Sequence, residues 1–190
     1  MVDRDAHTDL ALDMDEFWVF GYGSLMWNPG FAYEEKAGAL IFGYRRSLCV
    51  LSWVHRGTKA SPGLVLGLDR GGACRGTAFR IAEHEREDVL AYLRERELVT
   101  NVYLERLSPI RLSDGRRVTA VAYVVDRDHR QYAGSLDAVS AAHVVNGASG
   151  HSGQNDAYVF NTLAHLKELG IRDHWLEQVT DEIERMRQAS

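Results

Sequence analysis

Glu97 is the residue whose position best suits it to move a proton. Val89, Leu93 and Glu97 follow one another at four-residue steps along a segment with helical character, from about Glu83 to Glu97, and such spacing places them on one face. A carboxylate carried on an apolar face loses solvation, so its pKa rises and it becomes a usable base and acid near neutral pH. Its neighbours Glu95 and Arg96 are expected to point elsewhere, because adjacent residues of a helix do not face each other. The plainer alternative is a salt-bridged glutamate at the end of a solvated helix.

The second candidate is the run Gly21-Tyr22-Gly23-Ser24-Leu25-Met26-Trp27, which directly follows the apolar stretch Phe17-Trp18-Val19-Phe20. Glycines allow close approach to a ligand and can turn successive N–H groups toward it, which suits a carboxylate or a developing oxyanion. As a dinucleotide fingerprint the run fails. Met26 stands where the third glycine of G-x-G-x-x-G belongs, and no helical pattern follows. The alternative is a simple turn closing a strand.

A third stretch, Asn146 to Asn155, is rich in small polar residues and invites comparison with a serine-hydrolase elbow. Ser149 has Gly147 before it but His151 after, and Ser152 has Gly150 before it but Gln154 after. Neither fits G-x-S-x-G, and the loop reads equally well as a structural connection. Cys49 lies between Leu48 and Val50, which points to a buried thiol rather than a nucleophile paired with His55. The eight histidines form no H-E-x-x-H and no close ligand pair with cysteine, so no metal is expected. Arg45, Arg46 and Arg56 are candidates for holding a substrate carboxylate.

The elements that must position these residues are mostly strands. Phe17 to Phe20, Ala39 to Val54, Leu64 to Asp69, Ala73 to Ile81, Val102 to Leu112 and Arg117 to Val125 have strand-like composition. The pair Asp114-Gly115 favours a type I′ hairpin turn between the last two. Helical patterns cover Glu83 to Glu97, Leu136 to Val145, Asp156 to Leu169 and Asp173 to Gln188. The result is an α+β fold with a largely antiparallel, barrel-like sheet and a helical C-terminal third.

A chain of 190 residues suits one domain, here 16–190, preceded by a flexible acidic lead over 1–15. The formal net charge of −5 falls within the first sixteen residues, where Asp3, Asp5, Asp9, Asp13, Asp15 and Glu16 face only Arg4. The remainder is balanced, so neither nucleic acid nor an anionic membrane is an expected partner. No apolar run suffices for a membrane span and the N-terminus lacks a secretory pattern, so a cytoplasmic protein is expected. Two cysteines, Cys49 and Cys74, are too few for a disulfide scaffold.

Several short stretches together carry a family resemblance: Val19 through Trp27, Arg45-Arg46, His55-Arg56-Gly57, Pro62 through Leu66, Cys74 through Arg80, Tyr92-Leu93 with Arg96-Glu97, and Gly150 through Tyr158. In order and spacing they resemble the ChaC family of glutathione-specific γ-glutamyl cyclotransferases, over about residues 17 to 160. The resemblance implies a γ-glutamyl cyclotransferase fold, a small mixed and largely antiparallel β-barrel with flanking helices. It implies glutathione as substrate, 5-oxoproline and cysteinylglycine as products, and no metal or organic cofactor. It assigns the substrate loop to Gly21, Tyr22, Gly23, Ser24, Leu25 and Met26, and the catalytic carboxylate to Glu97.

One departure stands out. Many members carry Gly-Gly-Tyr shortly after the glutamate, whereas this chain reads Leu98-Val99-Thr100-Asn101-Val102-Tyr103, a spacer similar to the bacterial branch. Tyr103 is expected to supply the tyrosine. Two alternatives stay open: a cyclotransferase for other γ-glutamyl compounds, and a non-catalytic binding module regulating cation transport. The oligomeric state, and the arginine that reads the glycine carboxylate of glutathione, stay open too.

Overall fold

The computed structural model describes residues 14–189; most of the acidic lead, residues 1–13, lies outside them. Five strands close into a barrel in the order β1-β3-β2-β4-β5: β1 (Phe17–Gly21), β2 (Glu35–Ser52), β3 (Gly63–Ile81), β4 (Tyr103–Leu112) and β5 (Arg117–Val125). The aromatic and β-branched β1 is buried along its whole length, as a strand covered on both faces must be. It pairs antiparallel with β3, Gly21 opposite Thr77, and parallel with β5, Trp18 opposite Ala120. The expected α+β class and barrel-like sheet are what the chain adopts.

Two local expectations need correction. The segments Leu64 to Asp69 and Ala73 to Ile81 belong to one strand, β3. Gly71 and Gly72, at φ +100° and +75°, take the chain through Asp69-Arg70-Gly71-Gly72 without leaving the sheet, because residues lacking Cβ enter that region at little cost. The β4–β5 turn is not type I′, since that turn needs positive φ at both central residues. Among the described residues Asn101 is the only non-glycine with positive φ, which excludes it for Asp114. Instead Gly115 N–H bonds to Leu112 O at 3.0 Å and Leu112 N–H to Arg116 O at 2.8 Å, with Gly115 at φ +95°. This is the three-residue loop in which the glycine forms a bulge.

The chain divides into two compact units. One comprises the described residues up to Arg46 together with Leu68–Asp126. It holds β1, β4, β5 and one helix, α1 (Arg86–Glu97), entered through a short 3₁₀ turn at Glu83–Glu85. Its core gathers Phe17 and Val19 of β1, Phe79 and Ile81 of β3, Val121 and Tyr123 of β5, and Val89, Leu90 and Leu93 of α1. Burying each such side chain is worth about 1.5–3 kcal/mol, so the helix that carries Glu97 is held firmly by its apolar face.

The other unit comprises Ser47–Gly67 and the described residues from Arg127 on. It holds the small strands β6 (Ser149–Gly150) and β7 (Gly153–Gln154) and the helices α2 (Ala138–Val145), α3 (Asn155–Glu168) and α4 (His174–Gln188). Helix α2 begins one residue after Asp137, whose Oδ1 accepts from Ser140 N–H at 2.7 Å. Asp173 caps α4 in the same way, accepting from Leu176 N–H at 3.0 Å, as short acidic side chains do at such positions. Val159, Leu163 and Leu166 of α3 and Leu176, Val179 and Ile183 of α4 are buried, as their helical spacing requires. No helix among the described residues is long and apolar enough to cross a membrane.

Candidate active site

The glycine loop leaves the barrel where β1 meets β3. A Cβ placed on Gly76 would lie 2.2 Å from the carbonyl oxygen of Gly21, so only glycine lets the two backbones approach there. Beyond Gly21 the chain enters a 3₁₀ turn at Ser24–Met26, whose first bond runs from Met26 N–H to Gly23 O at 2.9 Å. The N–H groups of Ser24 and Leu25 therefore precede the turn's first bond, and groups so placed are the usual donors to an anion. The side chains of Tyr22, Leu25 and Met26 are buried, with Leu25 part of the barrel-side core, whereas Ser24 is exposed.

Arg46 fixes this loop from beneath. Its Nε donates to Tyr22 O at 2.6 Å and its Nη2 to Arg75 O at 2.6 Å, with the residue only 8% exposed. A trans peptide directs its C=O and N–H to opposite sides, so anchoring the Tyr22 carbonyl aims the Gly23 N–H away from Arg46. Both contacts go to loop and strand carbonyls, so Arg46 serves as a scaffold for the loop rather than as the reader of a substrate carboxylate that the sequence suggests. Arg45 is likewise engaged, with the buried Asp69 carboxylate at 2.9 Å and Arg70 O at 2.6 Å.

Glu97 closes α1 as its last residue, on the face of Val89 and Leu93, both buried. Its side chain is 19% exposed. Burial pushes the carboxyl above the usual carboxylate range, and the neighbouring Arg96 guanidinium opposes that rise. The expectation that Arg96 points away from Glu97 is overturned: Arg96 Nε lies 3.3 Å from Glu97 Oε1. Backbone spacing separates adjacent Cβ atoms, but a long arginine at a helix end bends back along its own turn.

The same guanidinium reaches the loop. Arg96 Nη2 donates to Ser24 Oγ at 2.9 Å, and Nη1 to Asn28 O at 2.9 Å and to Tyr92 Oη at 3.0 Å. Ser24 and Glu97, flagged separately in the sequence, are thereby joined through one side chain.

A second polar group, which no sequence motif marks, lies on β4 and β5. Glu105 and Tyr123 lie opposite each other across β4 and β5. Tyr123 Oη donates to Glu105 Oε2 at 3.0 Å, and Arg94 grips the same carboxylate at 2.9 and 2.7 Å. Burial first, then Glu105, holds the Tyr123 hydroxyl far above the usual phenol range, and the Glu97 charge adds to the shift. A signal existed: Tyr103, Glu105 and Leu107 alternate along β4, so an inward-facing strand residue at 103 or 107 implies an inward carboxylate at 105.

Tyr103 begins β4 opposite Val125 and packs against the barrel-side core. In the spacer before it, Asn101 has φ +56°, and its N–H bonds to Leu98 O at 3.1 Å. Asparagine is among the few residues besides glycine that tolerate this left-handed conformation, so Asn101 makes the turn that a glycine spacer would otherwise make.

The loop Asn146 to Asn155 belongs to the other unit and is structural there. The Asn155 amide bonds both Leu64 N–H and Leu64 O at 2.7 Å, Arg56 Nη1 donates to Ser152 O at 2.6 Å, and Arg56 lies over the Tyr158 ring. Ser152 Oγ sits 3.0 Å from His55 Nδ1 at an exposed position. Cys49 and Cys74 are both buried thiols. Among the described residues no three His, Cys, Asp or Glu side chains gather where they could hold a metal ion.

Residues 17–186 match the family described as ChaC-like protein. The glutathione-specific gamma-glutamylcyclotransferase of Escherichia coli (strain K12) is 35% identical over 179 residues, covering 93% of this chain and 78% of the relative. The glutathione-specific gamma-glutamylcyclotransferase of Schizosaccharomyces pombe is 34% identical, covering 80% of this chain and 83% of the relative. Among solved structures, a yeast cyclotransferase specific to glutathione superposes with a TM-score of 0.79 at 23% identity, over 91% of this chain and all of that one. That last likeness establishes the fold.

Proposed function

The chain belongs to the ChaC-like family, and we propose that it converts glutathione to 5-oxoproline and cysteinylglycine with Glu97 as the acid/base residue. Glutathione degradation by cyclotransfer accords with the curated relatives at 35% and 34% identity over most of the chain. The observation that carries the assignment to Glu97 is its carboxylate, half-buried at the end of α1 and joined through Arg96 to Ser24 of the glycine loop.

The substrate brings its own nucleophile. Its α-amine reaches its own γ-carbonyl, so the enzyme must fold the γ-glutamyl arm and manage two protons, and oriented intramolecular attack is worth roughly 7–11 kcal/mol of barrier. Glu97 takes a proton from the α-ammonium. The freed amine attacks the γ-carbonyl carbon and forms the lactam C–N bond. As the tetrahedral centre collapses, the bond to the cysteinyl nitrogen breaks while Glu97 passes its proton to that leaving nitrogen; the ring nitrogen sheds its second proton to solvent to give the neutral lactam N–H, and the released cysteinylglycine amine takes up a proton from solvent. A carboxyl whose pKa is raised by burial is suited to both steps near neutral pH. The amides at Gly23, aimed through the hold of Arg46 on Tyr22 O, and at Ser24 meet the charge growing on the carbonyl oxygen. Tyr22, Leu25 and Met26 support the loop by packing, and Tyr103 borders the site from β4.

We further propose that residues 16–190 act as one catalytic domain, in keeping with a family match over 17–186, and that the enzyme works in the cytoplasm, in keeping with its two buried thiols. The test of the cyclisation is glutathione acetylated on the γ-glutamyl amine. This analogue should yield no cysteinylglycine, because the nucleophile is gone; its release would mean hydrolysis instead.

A further inference from the structure

We propose that Arg96 is a positioning residue that ties the Gly21–Met26 loop to the Glu97 carboxylate and sets the pH range over which that carboxylate acts as a base. The inference rests on the assignment of Glu97 and extends it to a side chain outside the reacting groups.

The guanidinium is a planar fork with five N–H donors, and its contacts divide by function. Nη1 is fixed to the protein frame: Asn28 O at 2.9 Å, Pro29 O at 3.2 Å and Tyr92 Oη at 3.0 Å. Nη2 holds Ser24 Oγ at 2.9 Å, and Nε faces Glu97 Oε1 at 3.3 Å. With one edge immobilised by neutral acceptors, the positive charge is held beside the carboxylate rather than free to follow solvent. A lysine ammonium, a point charge on a flexible stem, cannot span these partners.

The charged and titratable groups around Glu97 come from three elements. Helix α1 brings Arg96, and Arg94 one turn before the helix end. Strand β4 brings Glu105, already held by Arg94, and β5 brings Tyr123, which is protonated and donates to Glu105. Arg94 is thus committed to Glu105, and Arg96 is the cation beside Glu97. Burial raises the Glu97 pKa and Arg96 opposes it. Without Arg96 the base ionises only at higher pH, and the loop loses its tether to α1.

The test is the pH profile of kcat/KM for glutathione in wild type, Arg96→Met, Arg96→Lys and Glu97→Gln, with folding checked by circular dichroism and melting. In Arg96→Met the acidic limb should move upward, so that activity at the acidic end falls about tenfold more than at the alkaline end, the loss that one pKa unit produces. Arg96→Lys retains a charge, so its limb should stay near wild type while kcat falls through the lost Ser24 contact. Should Arg96→Met not fold, Arg96→Gln replaces it, with the same shift expected. A uniform drop at every pH, with the limb unmoved, would make Arg96 merely structural and overturn the inference. Glu97→Gln keeps the two ideas apart: loss of the acidic limb there supports Glu97 as base whatever Arg96 does. Retention of wild-type rate and limb would remove both.

Discussion

Arg46 Nε donates to the carbonyl oxygen of Tyr22 across 2.6 Å, and through that one peptide it sets the direction of the Gly23 N–H. Buried donors to carbonyls are costly to lose, because an unsatisfied buried carbonyl costs about 1–3 kcal/mol. Replacing Arg46 by lysine keeps the charge but not the reach to both Tyr22 O and Arg75 O. The expected result is a fall in kcat of roughly a hundredfold, the scale of losing one oxyanion donor, with a smaller change in KM. Steady-state kinetics on glutathione check this, and a kcat within a few-fold of wild type would show that the loop holds its shape unaided.

Asn101 supplies a second local test. Its φ of +56° is free for glycine, acceptable for asparagine and strained for a β-branched residue. Asn101→Gly should leave the melting temperature within a degree or so, whereas Asn101→Val should cost about 1–2 kcal/mol. That loss corresponds to a few degrees in Tm for a chain of this size. Equal melting of all three proteins would mean that the turn after Glu97 relaxes without penalty.

The parts of the site visible in the sequence are those written in local periodicity. Four-residue spacing placed Glu97 on the buried face of α1, and the aromatic run before Gly21 placed the loop at the end of a strand. What escaped depends on side-chain reach and strand register. Arg96 was set aside by a rule about neighbouring Cβ positions, which says nothing of where a six-bond side chain ends. Glu105 takes its meaning from lying opposite Tyr123, a pairing fixed by the Gly115 bulge rather than by any motif. Gly71-Gly72 reads as a turn that divides the strand, although both glycines, at φ +100° and +75°, lie within the one continuous strand β3.

Burial of Glu97 also has a consequence for stability. Its folded pKa is raised, so the protonated form favours folding below the unfolded pKa, and this contribution is lost as pH rises through the folded value. Glu97→Gln removes a charge that must otherwise be desolvated. The variant should therefore melt at or above wild type at neutral to alkaline pH, with the difference shrinking toward acid; each 1 kcal/mol appears as about 2–4 °C at this size. Melting curves across pH decide it, and a variant destabilised equally at all pH values would contradict the burial argument.

Selectivity should follow from parts of the substrate that do not react. In the proposed mechanism the cysteinylglycine portion would help to hold the γ-glutamyl arm in its cyclising pose, so γ-glutamylalanine should show a lower kcat as well as a higher KM than glutathione. Equal kcat/KM values would place the enzyme's preference on the γ-glutamyl unit alone.

In the proposed mechanism Glu97 carries the proton through the cyclisation, and the measurement that bears on this role is the release of 5-oxoproline from reduced glutathione by Glu97→Gln. Glutamine preserves shape and hydrogen bonding but cannot exchange the proton, so the rate should fall by about 10²–10⁴-fold while the circular dichroism spectrum stays that of wild type. A correctly folded Glu97→Gln enzyme that forms 5-oxoproline within a few-fold of the wild-type rate would mean that another group moves the proton.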